Sequence, residues 1–413
     1  MNFRTRRFLA LGTLVFVALL GSAQAASSYK ILHSFNNQHG DGYQPEAALV
    51  FDSGGNLYGT TAGGGTGCTG GCGIVFELKP NQGGSWSESI LHEFTLADGA
   101  SPYAPLTFDH HGNLLGTTGN GGTEDAGTVS ELVAGAGGNW RSLTLQSFTG
   151  GSDGAFPHSG VLVDDAGRIY GTTSGGGGTG GGVVFTLGGG PRPGSTVIHD
   201  FVSGSDGMLP FGTLVSDANG NLYGTTWSGG TNGAGTVFEM TRDPLSGAWS
   251  ETILYSFKGE PYGGGDDGAE PYAGVTFDAA GNLYGTTYFG GSATWGVVFE
   301  LSPSSDGTWS ETLLHVFTGQ DDGGGPYGGI SLDQSGNLYG TTNVGGVGHL
   351  GTVFEMTKLP SGQWSETVLH AFNGADGGYP GDGVILDSSG NVYGTASIGG
   401  GGVFGGVVFE ITP

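Results

Sequence analysis

Only two cysteines occur in the 413 residues, Cys68 and Cys72. That excludes a disulfide-scaffolded fold, and no nearby ligands complete a four-coordinate thiolate metal site. In an exported chain the pair can oxidise, and a bridge this short closes one loop rather than stapling the molecule. Positive charge is equally scarce, with 11 Lys+Arg against 37 Asp+Glu and a formal net charge of −26. Such a surface repels nucleic-acid phosphates and anionic lipid, leaving divalent cations, neutral glycans and basic proteins as partners. No long apolar run follows the first 25 residues. Within those, Arg4, Arg6 and Arg7 precede an apolar run from Phe8 to Leu20 and the small-residue site Ala23-Gln24-Ala25. This is a signal peptide over residues 1–25, too short to span a membrane, with no following cysteine for a lipid anchor. The expectation is an exported, soluble protein, secreted to the extracellular space or held in the periplasm, with no membrane insertion.

Helical periodicity is missing too. What the chain has instead is glycine, 91 residues with 16 prolines, a composition that by itself suggests low complexity. The order of those residues says otherwise. "DSGGNLYGTT" from Asp52 returns from Asp109, Asp164, Asp217, Asp278, Asp333 and Asp387, at spacings of 57, 55, 53, 61, 55 and 54 residues. Each copy is followed by a G-x-V-F-E segment, such as "GTVFEM" from Gly235, degenerate as "GTVSEL" from Gly127 and "GVVFTL" from Gly182, and then by a strand such as "WSETILYSF" from Trp249. Each is preceded by D-G-x-x-P, starting at Asp41, Asp98, Asp153, Asp206, Asp267, Asp322 and Asp376.

The segments are short, rich in Val, Thr, Phe and Tyr, and bounded by Gly, Asn and Asp. Four such strands per unit, A to D, repeated seven times, predict an all-β, seven-bladed β-propeller with four-stranded antiparallel blades. Residues 26–413 then form a single propeller domain of about 55-residue repeats. The ends complement each other: the last unit stops at "GVVFEITP" without a D strand, and the mature N-terminus opens on a lone D strand, Ser28 to Phe35. Joining them closes the ring and removes two open edges.

The G-N-L-Y-G-T-T…G-x-V-F-E pattern resembles the bacterial extracellular tandem-repeat family of GloVer (Gloeobacter/Verrucomicrobia) repeats, over essentially all of residues 28–413. The resemblance implies an exported repeat protein and carries no biochemical activity with it. It also implies a C-terminal surface-sorting anchor in many members. The chain ends at Pro413 with none, so release from the cell is expected.

Gly65 to Gly70, "GTGCTG", reads as G-x-G-x-x-G, yet a strand follows it where a dinucleotide loop must open a helix. The repeated residues read as scaffold. The Asp of each D-x-x-G-N fits a turn cap, and the D-strand His33, His92, His199, His315 and His370 read as packing or hydrogen-bonding positions. The Glu residues of strands C and D read as surface or ladder groups. The D-G-x-x-P loops form turns, but a ring of Asp on one face also admits calcium, best at the doubled Asp266-Asp267 and Asp321-Asp322. No other cofactor is expected.

Function is expected where the symmetry breaks. The loop between Phe257 and Pro271 is the longest of its kind, and Trp227 and Trp295 are the two tryptophans outside the D-strand consensus position. Tyr288 and Phe289 stand where other units place smaller residues. Trp227, Tyr262, Asp266, Asp267, Tyr272, Tyr288, Phe289 and Trp295 are therefore the candidate ligand-binding residues, with aromatic faces for stacking and carboxylates for hydroxyl groups. The reading is a monomeric extracellular binding or adhesion module for a glycan or a protein. The alternative is a lactonase- or polysaccharide-lyase-like enzyme with a metal in the central channel, for which Glu124, Asp125, His158 and Asp382 are the unique candidates. A passive matrix component is the third reading.

Overall fold

The computed structural model describes residues 27–36, 40–188, 194–259, 267–401 and 405–413. The 1–25 segment, Tyr262 and Asp266 lie outside them. Seven four-stranded antiparallel sheets follow one another in a ring, a seven-bladed β-propeller. Blade 4 shows the pattern: A is Val215–Ser216, B is Leu222–Thr226, C is Thr236–Arg242 and D is Trp249–Ser256. Blades are numbered from the A strand Val50–Phe51. Blade 7 is completed by the N-terminal strand, Ser28–Ser34, which pairs antiparallel with Val407–Thr412 from Ser28↔Thr412 to Ser34↔Val407.

The repeated motifs are explained by how blades meet. The core lies between blades: the D-strand Phe of one packs edge-on against the strand-C Phe of the next, as Phe201 does on Phe238 at 5.3 Å and Phe372 on Phe409 at 5.5 Å. All four rings are fully buried. The tyrosine of "NLYGTT" meets the D-strand tryptophan of the following blade, as in the Tyr170–Trp249 contact at 5.9 Å. In six blades the first threonine of G-T-T (G-T-A in blade 7) donates to a backbone carbonyl of the next blade, as Thr225 does to Ala273 at 2.8 Å and Thr286 to Gly328 at 2.9 Å. The second donates to the carbonyl two residues on, as Thr226 does to Ser228 at 3.0 Å. The glycine lies under the blade's own phenylalanine: a Cβ on Gly224 would sit 2.7 Å from the Phe238 ring.

D-G-x-x-P is equally a joint. Its proline covers the glycine that opens strand C of the preceding blade; a Cβ on Gly235 would meet Pro271 Cδ at 2.7 Å. The residue before the proline has positive φ in every blade, including Phe156 at 57° and Leu209 at 59°. That conformation is unusual for bulky side chains and persists because the backbone is held from both sides. Leu209 N–H donates to Gly181 of the blade behind at 2.7 Å, and its carbonyl accepts from Trp227 at 3.1 Å.

A β-bulge interrupts the C–D pairing of all seven blades, as between Val237 and Phe238. In a regular strand, residues i and i+4 face the same way. The bulge turns the strand over, so that Glu88 faces His33 of blade 7 while His92 faces Asp98 on the way to blade 2. The Asp of each D-x-x-G-N caps its turn: Asp217 Oδ1 accepts from Asn219 and Asn221 N–H, each at 2.9 Å. Cys68 and Cys72 are disulfide-bonded, closing the B–C loop of blade 1.

Candidate binding site at the channel mouth

Immediately after the proline of D-G-x-x-P the seven blades place Glu46, Tyr103, His158, Phe211, Tyr272, Tyr327 and Gly381. The strained pre-proline residue fixes each joint, so these positions converge on one mouth of the central channel. They line a cavity of about 600 Å³, with Tyr288 and Asp382 beside them.

Five consecutive blades contribute an unbroken arc of rings. Tyr103 stacks on His158 at 5.6 Å, His158 meets Phe211 at 5.5 Å, and Phe211 leans on Tyr272 at 5.4 Å. Tyr272 stacks on Tyr327 at 4.3 Å with 24° between planes. Trp227 backs the arc behind Phe211 and Tyr272, at 6.5 and 6.1 Å. Tyr288 abuts Tyr272 and Tyr327 at 5.5 and 6.0 Å.

The remaining sector, blades 7 and 1, is acidic. Asp382 accepts backbone N–H bonds from Ala48 across the joint at 3.1 Å and from Gly383 at 2.7 Å. Burial raises the pKa of both Asp382 and Glu46. The Tyr327 hydroxyl is pushed up by burial first, then by Tyr272, Glu46 and Asp382, so it stays protonated. Burial lowers the pKa of His158, which favours the neutral ring. The mouth thus offers neutral aromatic surface on one side and carboxylate acceptors on the other.

The structure divides the residues singled out from sequence. Trp227, Tyr272 and Tyr288 come together at the arc, and Tyr272 and Tyr288 line the cavity. Trp295, 41% exposed, lies over Gly319 and Gly324 of the loop entering blade 6 and is not among the lining residues. Phe289 pairs with Ala269 and packs into the blade 4–5 core. Asp267 is buried in the joint between blades 4 and 5, accepting from the Tyr255 hydroxyl at 2.9 Å, Lys258 N–H at 3.0 Å and Gly268 N–H at 2.7 Å. Asp322 accepts from Thr318 N–H at 2.9 Å, and Asp321 is exposed. Of the channel candidates, His158 and Asp382 line the mouth; Glu124 and Asp125 are exposed on the B–C loop of blade 2. Glu46, Tyr103, Phe211 and Tyr327 were missed. Their signal was in the sequence: the position after the proline is aromatic in five of seven units, counting His158, although the repeat does not fix it.

A β-propeller with an aromatic arc facing an acidic sector at its channel mouth is the class these observations define. The chain belongs to the Gloeobacter/Verrucomicrobia repeat family, whose model matches residues 12–137, 66–265 and 250–413. No curated protein sequence matches it. Among solved structures it is similar to the extracellular domain of BT4673 from B. thetaiotaomicron, described as a one-component system, at 12% identity and TM-score 0.53. That match covers 92% of this chain and 41% of the other, so the chain spans under half of that protein's length. It is also similar to a protein described as a 6-phosphogluconolactonase from Bacteroides uniformis, at 16% identity and TM-score 0.51, covering 78% and 84% of the two chains. The periplasmic gluconolactonase PpgL of Pseudomonas aeruginosa matches at 16% identity and TM-score 0.51, covering 82% and 87%. At these identities the likeness is one of fold. Among the described residues, no helix is long and apolar enough to cross a membrane.

Proposed function

We propose that the protein is a secreted binding propeller that takes a saccharide at the channel mouth. The observation that carries this reading is the arc Tyr103–His158–Phe211–Tyr272–Tyr327 facing Glu46 and Asp382 across one cavity. Pyranose rings present apolar C–H faces and hydroxyl edges, which suit stacking on the arc and donation to the carboxylates. A cavity of about 600 Å³ lies within the range of small-ligand sites and suits a short oligosaccharide or chain end. The signal-peptide pattern of residues 1–25 and the acidic surface support an exported protein with a neutral ligand.

A glycan array probed with the untagged protein, Tyr272→Ala and Trp227→Ala tests the reading. Tyr272→Ala is expected to weaken binding about 10-fold or more, as the loss of a stacking ring does. Trp227→Ala acts through the backing of the arc and costs less, and Trp295→Ala leaves binding unchanged. Equal binding by Tyr272→Ala and the unmodified protein removes the site.

The lactonase-like alternative needs unlike ligands converging on one ion in the channel. Among the described residues, sets of three metal-capable side chains within mutual reach occur at the blade joints and not at the channel mouth. The binding reading is therefore the one this geometry favours.

A further inference from the structure

Each joint between blades repeats three positions drawn from separate pieces of chain: the D-strand His site, the Asp of D-G-x-x-P, and the D-strand Glu site of the following blade. At two joints these are all metal-capable residues in close convergence. Between blades 7 and 1, His33 Nε2 lies 3.8 Å from Asp41 Oδ1 and 3.6 Å from Glu88 Oε2. Between blades 3 and 4, His199 Nε2 lies 3.3 Å from Asp206 Oδ1 and 3.7 Å from Glu251 Oε2. Ligands at about 2.0–2.2 Å from a tetrahedral ion stand about 3.3–3.6 Å apart, close to these separations.

Hydrogen bonding leaves part of the arrangement unexplained. His33 Nε2, His199 Nε2, Glu88 Oε1 and Glu251 Oε1 are cut off from solvent and make no hydrogen bond. Buried polar atoms of this kind ordinarily find a partner. The aspartates, by contrast, are locked in place: Asp41 accepts Asn36 and Gly42 N–H at 2.9 and 2.8 Å, and Asp206 accepts Val202 N–H at 2.7 Å. The acceptor is fixed while the imidazole Nε2 and one oxygen of each glutamate are left without a hydrogen bond in the same space, although Glu251 also interacts with Asp206.

We propose that these two joints are binding sites for zinc, each ion held by one imidazole and two carboxylates with water in the fourth position. The imidazole and the three-ligand convergence favour zinc over calcium, which takes six to eight oxygen ligands. Each ion ties the D strand of one blade to the D strand of the next, and at the 7–1 joint it locks the strand that closes the ring. The joint between blades 5 and 6 has the same residue types, with His315 Nε2 3.4 Å from Asp322 Oδ2 and Glu366 on the following blade, but these three do not all come within mutual reach. Other joints supply contrasts within the same molecule. Between blades 1 and 2, His92 bonds Asp98 directly at 2.9 Å, and Ser142 occupies the glutamate position. Between blades 2 and 3 the set is Gln146, Asp153 and Ser195. Between blades 4 and 5, the Tyr255 hydroxyl bridges Asp267 and Glu311, each at 2.9 Å.

The test uses the untagged full chain, stripped with EDTA, dialysed, and titrated with Zn²⁺ by calorimetry alongside elemental analysis. Two zinc ions per chain are expected, falling to one in Glu88→Gln or in Glu251→Gln and to none in the double variant. Saturation at about 100 times Kd should raise Tm by about 3 °C per site. His199→Gln is the second variant, because the fold already carries glutamine at the corresponding Gln146; it too should lose one ion while keeping the circular dichroism of the unmodified protein. No zinc uptake at 100 µM (roughly the weakest affinity worth the name here), uptake unchanged in the double variant, or equal binding of Ca²⁺ overturns the proposal.

Discussion

The joint between blades 3 and 4 and the joint between blades 2 and 3 use the same architecture with different contents. In the first, Tyr170 packs on Trp249, Phe201 on Phe238, and His199, Asp206 and Glu251 converge behind them. In the second, Leu115 stands where other blades have tyrosine, Pro193 stands where most have the D-strand tryptophan, and the polar set is Gln146, Asp153 and Ser195. The tyrosine–tryptophan pair has been lost from both sides together. A cavity of about 400 Å³ lies at this joint, lined by Leu115, Leu145, Val163, Ile169 and Leu187, among others. The Phe148–Phe185 contact at 5.2 Å is kept. The phenylalanine seam is kept at both joints, whereas the outer aromatic pair and the polar triad vary between them.

That contrast can be broken or sharpened by experiment. The largest effect is expected from Trp249→Ala, which empties the intact joint to resemble the depleted one. A cost of about 3 kcal/mol, at the low end for a large aromatic because the ring is only half-buried, should appear in denaturant unfolding.

Next comes pH, measured on EDTA-stripped protein. Burial and the neighbouring Asp206 push Glu251 up to about 9, from an ordinary value of 4.5. Between those values the folded chain holds a proton that the unfolded chain releases, so stability falls as pH rises. Glu311, at about 8, and Glu366, at about 7, act in the same direction at their own joints. Burial lowers His315 and His370, which opposes the trend below pH 6.5, so the comparison belongs above pH 7. Glu251→Gln should recover about 2 kcal/mol of the loss between pH 7 and 9, less than the full shift because the pair titrates together. The depleted joint has Ser195 at this position and contributes no such dependence.

A smaller effect belongs to the staples. Thr225→Val leaves the Ala273 carbonyl without its donor and should cost about 1 kcal/mol. Smallest is the repair of the depleted joint: Leu115→Phe partly fills its cavity and should add about 0.5 kcal/mol, read as a small rise in Tm. A loss of stability there would show that the cavity is shaped for something other than a missing ring.

The period, the strand types and the ring closure were legible in the chain because each depends on residues within one repeat, or on two ends that visibly complete each other. The separation of scaffold from site was only partly legible. Trp227, Tyr272 and Tyr288 were marked by departing from the repeat, and they do meet at the channel mouth. Trp295 departs from it just as clearly, yet its ring covers a glycine turn. Asp267 carries a doubled acid in sequence and a buried joint in space.

By itself, then, the sequence determined the blade and its number, since local turn chemistry and alternating strands act over a few residues. Only the tertiary structure decided what the variable positions do. The rings of the arc lie one repeat apart in the chain, and the joint triads unite a strand, a loop and the strand of the following blade. The triads form only because the bulge in strand D turns its glutamate toward one neighbouring blade and its histidine toward the other.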